Sequence, residues 1–267
     1  MSTRQKARLI DISKCTGCRG CQVACKQWNE LPGEKTTFFA AKGGYQNPPS
    51  LSSDTRVLVK FYEKQTEDGL TWRFRAHTCM HCTEAVCIEI CPTEPKAMVR
   101  DQDTGFVYVI EERCIGCGVC EEACPFGVPH VDANRGVSTK CDGCIARIEE
   151  GMKPACAQTC PGEAITFGNL SALLAKANER ISYLKTQGYT PHLYGESESG
   201  GLRTLFIMPE GLLFYDLPVK PKSKVDMSLF RHHLNDFAKK GIPINAKTVK
   251  EVLARHGIKK DAAREVA

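Results

Sequence analysis

Short apolar runs bounded by turn residues recur along the chain and predict a series of short strands. The runs Ala7–Ile12 and Ala164–Phe167 both alternate apolar and polar residues, which is typical of half-buried strands. Although these two runs lie far apart in sequence, we expect them to pair as the closing strands of one folding unit.

Two β-hairpins are predicted where apolar runs are joined by turn residues. Lys96–Val99 and Phe106–Ile110 flank an Asp-Thr-Gly turn, while Thr55–Tyr62 and Thr71–Arg75 flank a Glu-Asp-Gly turn. Glycine that follows Asp or Thr between apolar runs is a common turn signal. We expect the second of these hairpins to lie on the surface.

The later part of the chain predicts helices as well as strands. Four apolar residues recur at helical spacing: Leu174, Ala177, Ile181 and Leu184. Ser171 is the expected N-cap of this helix and Gly188 its terminator. Leu202–Met208 and Leu212–Tyr215 flank a Pro-Glu-Gly turn and are expected to pair as strands. Two short amphipathic helices are then predicted: Leu229–Lys239 and Ala246–His256.

Composition and charge limit the kinds of binding partner expected for this chain. It has 267 residues, of which 42% are hydrophobic and 25% are charged, as expected for one or two folded units. The formal net charge of +5 is spread along the sequence, so no nucleic-acid partner is expected. The apolar stretch Leu202–Val219 contains charged residues and prolines, which exclude a transmembrane segment there.

The sixteen cysteines add a specific chemistry, because they form four groups of four with none left over. Motif one is Cys15, Cys18, Cys21 and Cys25; motif two is Cys79, Cys82, Cys87 and Cys91; motif three is Cys114, Cys117, Cys120 and Cys124; motif four is Cys141, Cys144, Cys156 and Cys160. Motifs one and three have the spacing CxxCxxCxxxC, the ligand run of bacterial ferredoxins. Motifs two and four widen the middle gap and keep the final CxxxCP.

This spacing suits iron–sulfur chemistry. Three cysteines in a tight loop can direct their sulfurs into one pocket, where they hold three corners of an iron cube. In two-cluster ferredoxins the fourth cysteine turns away and binds the neighbouring cluster. The sequence therefore predicts four [4Fe–4S] clusters with all sixteen cysteines as metal ligands.

Two other chemistries use grouped cysteines. Disulfide scaffolds are usually small secreted proteins, and no hydrophobic signal peptide precedes Cys15. Zinc sites use two CxxC pairs separated by a longer loop, so motif four by itself would fit zinc. The compact runs of motifs one and three favour iron, with a zinc-stabilised interaction module as the alternative.

The hairpin between motifs two and three makes these motifs partners, which leaves motifs one and four as the other pair. If the fourth cysteines cross over, the expected ligand sets are Cys15, Cys18, Cys21 and Cys160; Cys141, Cys144, Cys156 and Cys25; Cys79, Cys82, Cys87 and Cys124; Cys114, Cys117, Cys120 and Cys91. In the sequential alternative each motif keeps its own four ligands.

None of the seven histidines is expected to bind iron, because the cysteines already supply four ligands per cluster. His77 and His81 lie beside motif two, where each is expected to hydrogen-bond a sulfur or to face a partner. His232 and His233 are expected on a helix surface. The sequence contains no nucleotide-binding loop and no nucleophile with a base, so no catalytic residue is expected in this chain.

Three segments around the cysteines carry a family resemblance: residues 18–29 (CRGCQVACKQWN), residues 46–49 (QNPP), and residues 141–147 (CDGCIAR) followed by residues 154–156 (PAC). They resemble the beta subunits that accompany molybdenum or tungsten enzymes of the dimethyl sulfoxide reductase superfamily. The first two segments look like formate dehydrogenase in particular. The resemblance covers roughly the first 220 residues.

The resemblance implies an α+β fold with two bacterial-ferredoxin-like 2[4Fe–4S] modules related by pseudo-symmetry, a β-hairpin insertion and a C-terminal α/β extension. Residues 1–30 and 138–168 are the expected outer module, and residues 76–137 the inner module. The hairpin insertion is expected over residues 31–75, and a partner-docking extension over residues 169–267.

The resemblance also implies that formate is oxidised in a separate catalytic alpha subunit that holds molybdenum or tungsten on two pterins. This chain would carry electrons from that subunit to an external acceptor. Membrane-bound relatives have a C-terminal transmembrane helix, whereas the tail from Lys220 is polar here. The difference favours a soluble acceptor such as a cytochrome c or a ferredoxin.

Two points stay open after the resemblance. Export of the folded chain with a signal-bearing catalytic subunit would place it in the periplasm, which is the favoured location, with the cytoplasm as the alternative. An equivalent four-cluster subunit could also serve a thiosulfate, polysulfide, nitrate or dimethyl sulfoxide reductase, because a fold does not fix its function.

Overall fold

The computed structural model describes residues 5–36, 46–66, 69–223 and 225–255. Short strands and helices alternate along the chain in an α+β arrangement. The strands are β1 Lys6–Asp11, β2 Leu58–Thr66, β3 Gly69–His77, β4 Met98–Arg100, β5 Val107–Val109, β6 His130–Asp132, β7 Val137–Thr139, β8 Ile165–Asn169, β9 His192–Tyr194 and β10 Thr204–Met208. The helices are α1 Gly20–Trp28, α2 Val86–Glu89, α3 Val119–Ala123, α4 Ile145–Glu149, α5 Ala155–Gln158, α6 Leu170–Thr186, α7 Met227–Lys239 and α8 Ala246–Arg255.

A four-stranded sheet in the order β8-β1-β10-β9 joins the two ends of the cysteine-rich part of the chain. Strand β1 pairs antiparallel with β8, so Arg8 lies opposite Phe167. On its other side β1 pairs parallel with β10, where Arg8 lies opposite Thr204. The predicted pairing of the strand before motif one with the strand after motif four is therefore confirmed.

Both faces of this sheet are covered. On one face, Ala7 and Leu9 of β1 pack with Leu205 of β10 against Leu173 and Ala177 of α6. The opposite face packs against the cysteine-bearing segments. Strand β1 is therefore buried along nearly its whole length, and its polar residues Arg8 and Asp11 lie inside the protein and not in solvent.

Two local predictions in the C-terminal part are wrong. Leu212–Phe214 forms a short 3-10 turn, and β10 pairs with β1 and β9 instead. All five residues of β10 are buried, and such a strand requires hydrogen-bonded neighbours on both sides. The cap of α6 also differs, because the helix begins directly after β8 with Asn169 at the N-cap, not Ser171. The predicted helix itself is confirmed, and Gly188 follows its end with a φ of +82°.

The three remaining strand pairs are hairpins. Strands β2 and β3 pair from Leu58 opposite His77 to Thr66 opposite Gly69, which confirms the predicted strands, while residues 67 and 68 of the turn lie outside the described residues. Only the far end of this hairpin is at the surface, since Leu58 and His77 are buried. Strands β4 and β5 pair as predicted. Strands β6 and β7 form a hairpin that the apolar pattern does not reveal.

Helices α7 and α8 pack against the cysteine segments of motifs two and three. Phe230 of α7 and Val249 of α8 are fully buried in a cluster that contains Ile90, Cys117 and Val119. Both predicted helices are confirmed, although His256, the predicted end of the second, lies outside the described residues. None of the helices in the described ranges is long and apolar enough to cross a membrane.

Replacing Phe230 by Ala should release this helical pair from the inner part of the chain. Phe230 is 0% exposed, whereas its neighbour Leu229 is 44% exposed. Truncating a buried phenylalanine typically costs about 3–5 kcal/mol, while exposed positions usually cost about 0.5 kcal/mol or less. We expect Phe230→Ala, and not the control Leu229→Ala, to accelerate limited proteolysis within residues 220–255. Equal cleavage rates in the two variants would contradict this packing.

Candidate metal centres

The structure gathers the sixteen thiols into four groups, each combining three cysteines of one motif with one of another. Site A comprises Cys15, Cys18, Cys21 and Cys160; site B comprises Cys25, Cys141, Cys144 and Cys156; site C comprises Cys79, Cys82, Cys87 and Cys124; site D comprises Cys91, Cys114, Cys117 and Cys120. All sixteen are free thiols, so no disulfide joins them. This grouping is the nested arrangement and not the sequential one, while their role as iron ligands stays a prediction.

Sites A and D each surround a cavity. The four cysteines of site A line theirs together with Ile10 and Ile165. The four cysteines of site D line theirs together with Ile115 and Val119. Four converging thiols with apolar side chains between them are the surroundings in which [4Fe–4S] clusters are held.

In sites B and C the thiols lie within electrostatic range of one another. Burial raises the pKa of Cys25 and of Cys82 well above the ordinary value, and repulsion by the other three thiols of each site raises it further. Burial likewise raises the pKa of Cys117 to about 11 and that of Cys144 to about 12. Such thiols are protonated at neutral pH unless a metal takes the place of the proton.

The loops of motifs one, three and four turn into helices through residues with left-handed backbone. Arg19 before α1, Gly118 before α3 and Cys144 before α4 have φ values of 60°, 79° and 57°. This turn brings the third cysteine of motifs one and three into the first turn of the following helix. Local backbone amides of such loops are available to hydrogen-bond the sulfurs.

Several thiol sulfurs accept hydrogen bonds from neutral groups. The amides of His81 and Gly143 lie 3.4 Å from Cys79 Sγ and Cys141 Sγ. The amide of Ser138 donates to Cys114 Sγ at 3.2 Å. Such bonds stabilise a sulfur that carries negative charge, as a cluster ligand does.

Neighbouring sites are close enough to interact in a linear order. The thiols of Cys21 in site A and Cys156 in site B repel each other electrostatically, as do those of Cys87 in site C and Cys120 in site D. Sites B and C are joined by Arg8, whose guanidinium contacts both. The four sites therefore follow one another as A, B, C and D.

Arg8 is the functional residue that sequence reasoning missed. Its Nη1 lies 3.5 Å from Cys141 Sγ and 3.7 Å from Cys156 Sγ, both in site B. Its Nη2 donates to the carbonyl of Cys79 in site C at 3.0 Å and to Thr204 Oγ1 at 2.9 Å. A charged residue within the strand that leads into motif one was the available signal, but period-two alternation is equally typical of a polar residue that faces solvent.

His81 is also fully buried, next to thiols of both site B and site C. Its Nδ1 accepts a hydrogen bond from the amide of Val107 at 2.9 Å, so its Nε2 carries the proton and points at Cys141 Sγ, 3.6 Å away. Burial lowers the pKa of His81 well below its usual value, and the nearby charges of Lys140 and Arg8 lower it further. The imidazole is therefore neutral. The expectation that a histidine beside motif two hydrogen-bonds a sulfur is confirmed for His81.

The other histidines play different parts. His77 Nε2 lies 3.1 Å from the carbonyl of Phe126, and its Nδ1 lies 3.2 Å from Arg75 Nη1, so its ring nitrogens face no sulfur. His232 is largely exposed on α7, as predicted for a helix surface.

The residues present fit an iron–sulfur cluster. Arg8 is a buried cation that has no carboxylate partner among the described residues, and such a charge is costly unless a nearby anion compensates it. The negative charge of a thiolate-bound cluster at site B would be that anion. Across the described ranges, no three His, Cys, Asp or Glu side chains converge closely enough to hold a single metal ion. A [4Fe–4S] cube instead takes one thiolate on each iron, so its ligands stand apart around a shared cavity.

Two family models match the chain, and both are described as 4Fe–4S dicluster domains. One covers residues 14–95, which contain motifs one and two. The other covers residues 70–170, which contain motifs two, three and four. Together they include all sixteen cysteines.

Several similar proteins are named as formate dehydrogenase subunits. The chain is 35% identical over 241 residues to the formate dehydrogenase, nitrate-inducible, iron-sulfur subunit of Escherichia coli (strain K12), with 88% of this chain and 80% of that protein covered. It is 38% identical over 194 residues to formate dehydrogenase 2 subunit beta (cytochrome c-553) of Nitratidesulfovibrio vulgaris, with 70% and 87% covered. A probable anaerobic dimethyl sulfoxide reductase chain of Escherichia coli is 36% identical over 183 residues, with 65% and 78% covered.

Replacing Gly116 by Ala should disrupt site D selectively. A Cβ at Gly116 would lie 2.1 Å from the carbonyl oxygen of Gly136, whereas a Cβ at Gly136 would meet nothing within 4 Å. Both glycines have a left-handed backbone, so each variant pays a conformational cost of about 1–2 kcal/mol, but only Gly116→Ala adds a backbone collision. We expect Gly116→Ala to lose about one cluster's worth of iron, about four atoms per chain. The matched variant Gly136→Ala should keep its full content, and equal iron in both would refute the predicted collision.

Proposed function

Because the chain belongs to the family of formate dehydrogenase iron–sulfur subunits, we propose that it transfers electrons between the catalytic subunit of formate dehydrogenase and an external acceptor. The observation that carries this proposal is the linear succession of four four-thiol sites, each adjacent to the next. A succession of adjacent one-electron sites lets electrons pass through a protein from one partner to another. It suits a subunit that conducts electrons along its length.

Each of the sites A to D would hold one [4Fe–4S] cluster, with its four cysteines as the iron ligands. A bound cluster supplies reversible one-electron chemistry, and reduction potentials of such clusters span about −700 to +450 mV according to burial, charge and hydrogen bonds to sulfur. The nested grouping of the thiols and the match to two dicluster domains support this assignment.

The protein around the sites performs three tasks. The cysteines fix the positions of the sites relative to one another, because each pair of sites shares two motifs. Apolar residues such as Ile10 and Val119 exclude water from the cavities. Amide and hydroxyl donors, including Ser138 Oγ at 3.2 Å from Cys120 Sγ, stabilise negative charge on the sulfurs.

Sites A and D are the ends of the path, so electrons would enter at one and leave at the other. Cys18 of site A is exposed, which leaves this end accessible to a partner. At the other end, α7 and α8 cover the segment that contains Cys117 of site D. The sites between them have no need to approach the surface.

The chemistry on formate would belong to the catalytic alpha subunit, with molybdenum or tungsten on two pterins, and this chain would contribute no catalytic residue. We propose a soluble acceptor such as a cytochrome c or a ferredoxin. The relative named for cytochrome c-553 supports the first of these. The proposed location is the periplasm, reached by co-export with the catalytic subunit.

We further propose the modular organisation that the family resemblance implies. Residues 1–30 and 138–168 would form an outer ferredoxin-like module around sites A and B, and residues 76–137 an inner one around sites C and D, related by pseudo-symmetry. Residues 31–75 would be a hairpin insertion, and residues 169–267 a C-terminal extension that docks a partner. The sharing of motifs one and four, and of motifs two and three, supports this division.

The second candidate function is service to another molybdenum enzyme of the same superfamily, such as a thiosulfate, polysulfide, nitrate or dimethyl sulfoxide reductase. The similarity to a dimethyl sulfoxide reductase chain favours the last of these. The path of clusters would be the same, and only the partner and the direction of electron flow would differ.

Metal analysis tests cluster binding. Anaerobically purified protein should contain about sixteen iron and sixteen sulfide per chain, four of each for every [4Fe–4S] cluster. It should bleach in visible absorption and develop an EPR signal when dithionite is added. About four zinc and no iron would instead establish the zinc-stabilised module.

A dye-reduction assay tests the partner. The complex that co-purifies with this chain should reduce a viologen dye when formate is added, and omission of formate provides the control. The second candidate would be established if a complex with full iron content shows no dye reduction with formate but oxidises reduced viologen in the presence of dimethyl sulfoxide.

A further inference from the structure

Arg8 is a buried charged residue that is not itself a thiol ligand of any of the four sites. It is 1% exposed, and its Nε has no hydrogen-bond partner within the part of the chain that the structure describes. Its described partners are two sulfurs, a carbonyl and a hydroxyl, together with the ring of Phe106, whose centroid lies 5.8 Å from the guanidinium. An arginine is always protonated in proteins, so a full positive charge is buried at the junction of sites B and C.

The charge is aimed at site B. One guanidinium nitrogen approaches two sulfurs of that site, while in site C only the backbone carbonyl of Cys79 is contacted. His81 adds a neutral N–H toward Cys141 Sγ. Asn29 Nδ2 lies 3.6 Å from Cys25 Sγ. Site B thus receives polar side-chain hydrogens at three of its four sulfurs.

Cys141 receives the largest share of these contacts. Arg8 Nη1 and His81 Nε2 lie 3.5 Å and 3.6 Å from its sulfur, and the amide of Gly143 lies 3.4 Å from it. A fixed positive charge and two N–H donors therefore stabilise negative charge locally at Cys141.

A second buried cation lies nearby and has a different role. Lys140 Nζ donates to the carbonyls of Val107 and Cys141, and no described hydrogen bond joins it to a sulfur. Its charge acts on Cys87 of site C as well as on Cys141. Lys140 therefore favours negative charge at both sites, whereas Arg8 and His81 distinguish site B from site C.

Reduction adds one negative charge to a cluster, so a fixed positive charge and N–H donors beside its sulfurs favour the reduced state. At an effective dielectric constant of about 20, charges some 5 Å apart interact by more than the energy of a tenfold change in an equilibrium. We propose that Arg8 and His81 are positioning residues that raise the reduction potential of the cluster at site B and so create an electron-holding position inside the path. This inference rests on the proposed binding of clusters.

The consequence for electron transfer follows from the place of site B. An electron would be favoured at site B over its neighbour site C, and so at an interior position of the path. Arg8 also links the two halves of the path directly, because one guanidinium bonds sulfurs of site B and the carbonyl of a site C ligand. Electron transfer between site B and site C would thus be governed by one side chain.

The test is a redox titration of the intact complex followed by EPR, with dithionite and mediators in place of formate. Arg8→Gln should lower the midpoint potential of one cluster enough to change its reduced-to-oxidised ratio at least about tenfold at a fixed potential, or ~59 mV for one electron. Arg8→Lys, which keeps the charge, should have a midpoint potential close to that of the unmodified protein. The control Arg180→Gln, which removes an ion pair with Asp11 of the same strand but touches no thiol, should leave all midpoints unchanged.

His81→Phe provides an independent reading, because it removes the N–H donor and keeps a ring beside Phe106. It should lower the midpoint of the same cluster by less than Arg8→Gln does. Asn29→Leu assigns the affected EPR signal to site B, since Asn29 contacts only Cys25 among the thiols. The midpoint that shifts in this variant should be the same one that shifts in Arg8→Gln.

Unchanged midpoints in Arg8→Gln at full iron content would overturn the inference. If Arg8→Gln loses a cluster, unchanged midpoints in His81→Phe would overturn it. Failure of the proposed function is distinguishable from both, because it would appear in the unmodified protein as missing iron or missing formate-dependent dye reduction.

Discussion

Bringing sixteen thiols together in one chain, half of them buried, is the constraint on which the rest of this structure depends. Burial raises the pKa of most of these thiols, and their mutual repulsion adds to the cost. Iron offsets both, because it binds the thiolates and joins them through shared sulfide. The short helices, the small hairpins and the apolar residues between the sites serve to hold the sulfurs at fixed separations. The fold is therefore organised around its ligands more than around a conventional core.

Much of this organisation could be predicted from the cysteines alone. Their spacing identifies the chemistry, and the hairpin between motifs two and three identifies which motifs share sites. The strands before motif one and after motif four were also recognisable, because local alternation reflects local burial. These features depend on residues that are close in sequence or on ligand runs that have few alternative uses.

Other features could not be predicted because they depend on distant partners. Strand β10 inserts beside β1 in the same sheet, and nothing in its own residues distinguishes that neighbour from the nearby segment 212–215. Arg8 could not be recognised as an interior residue, since its burial results from α6 on one face of the sheet and thiols on the other. The sequence shows that residue 8 is polar and lies in an alternating strand, but only the assembled sheet determines what its side chain faces.

The sharing of sites by motifs one and four affects how the chain is made. Sites C and D have all their ligands once residue 124 has been synthesised, but site B waits for residue 156 and site A for residue 160. Strand β1 waits longer, since its two neighbours end at residues 169 and 208. A strand near the N-terminus thus stays without hydrogen-bonded neighbours during most of translation. Nascent chains would carry an unpaired strand and incomplete thiol sites at the ribosome, so sites A and B could be filled with metal only after more than half of the chain has been made.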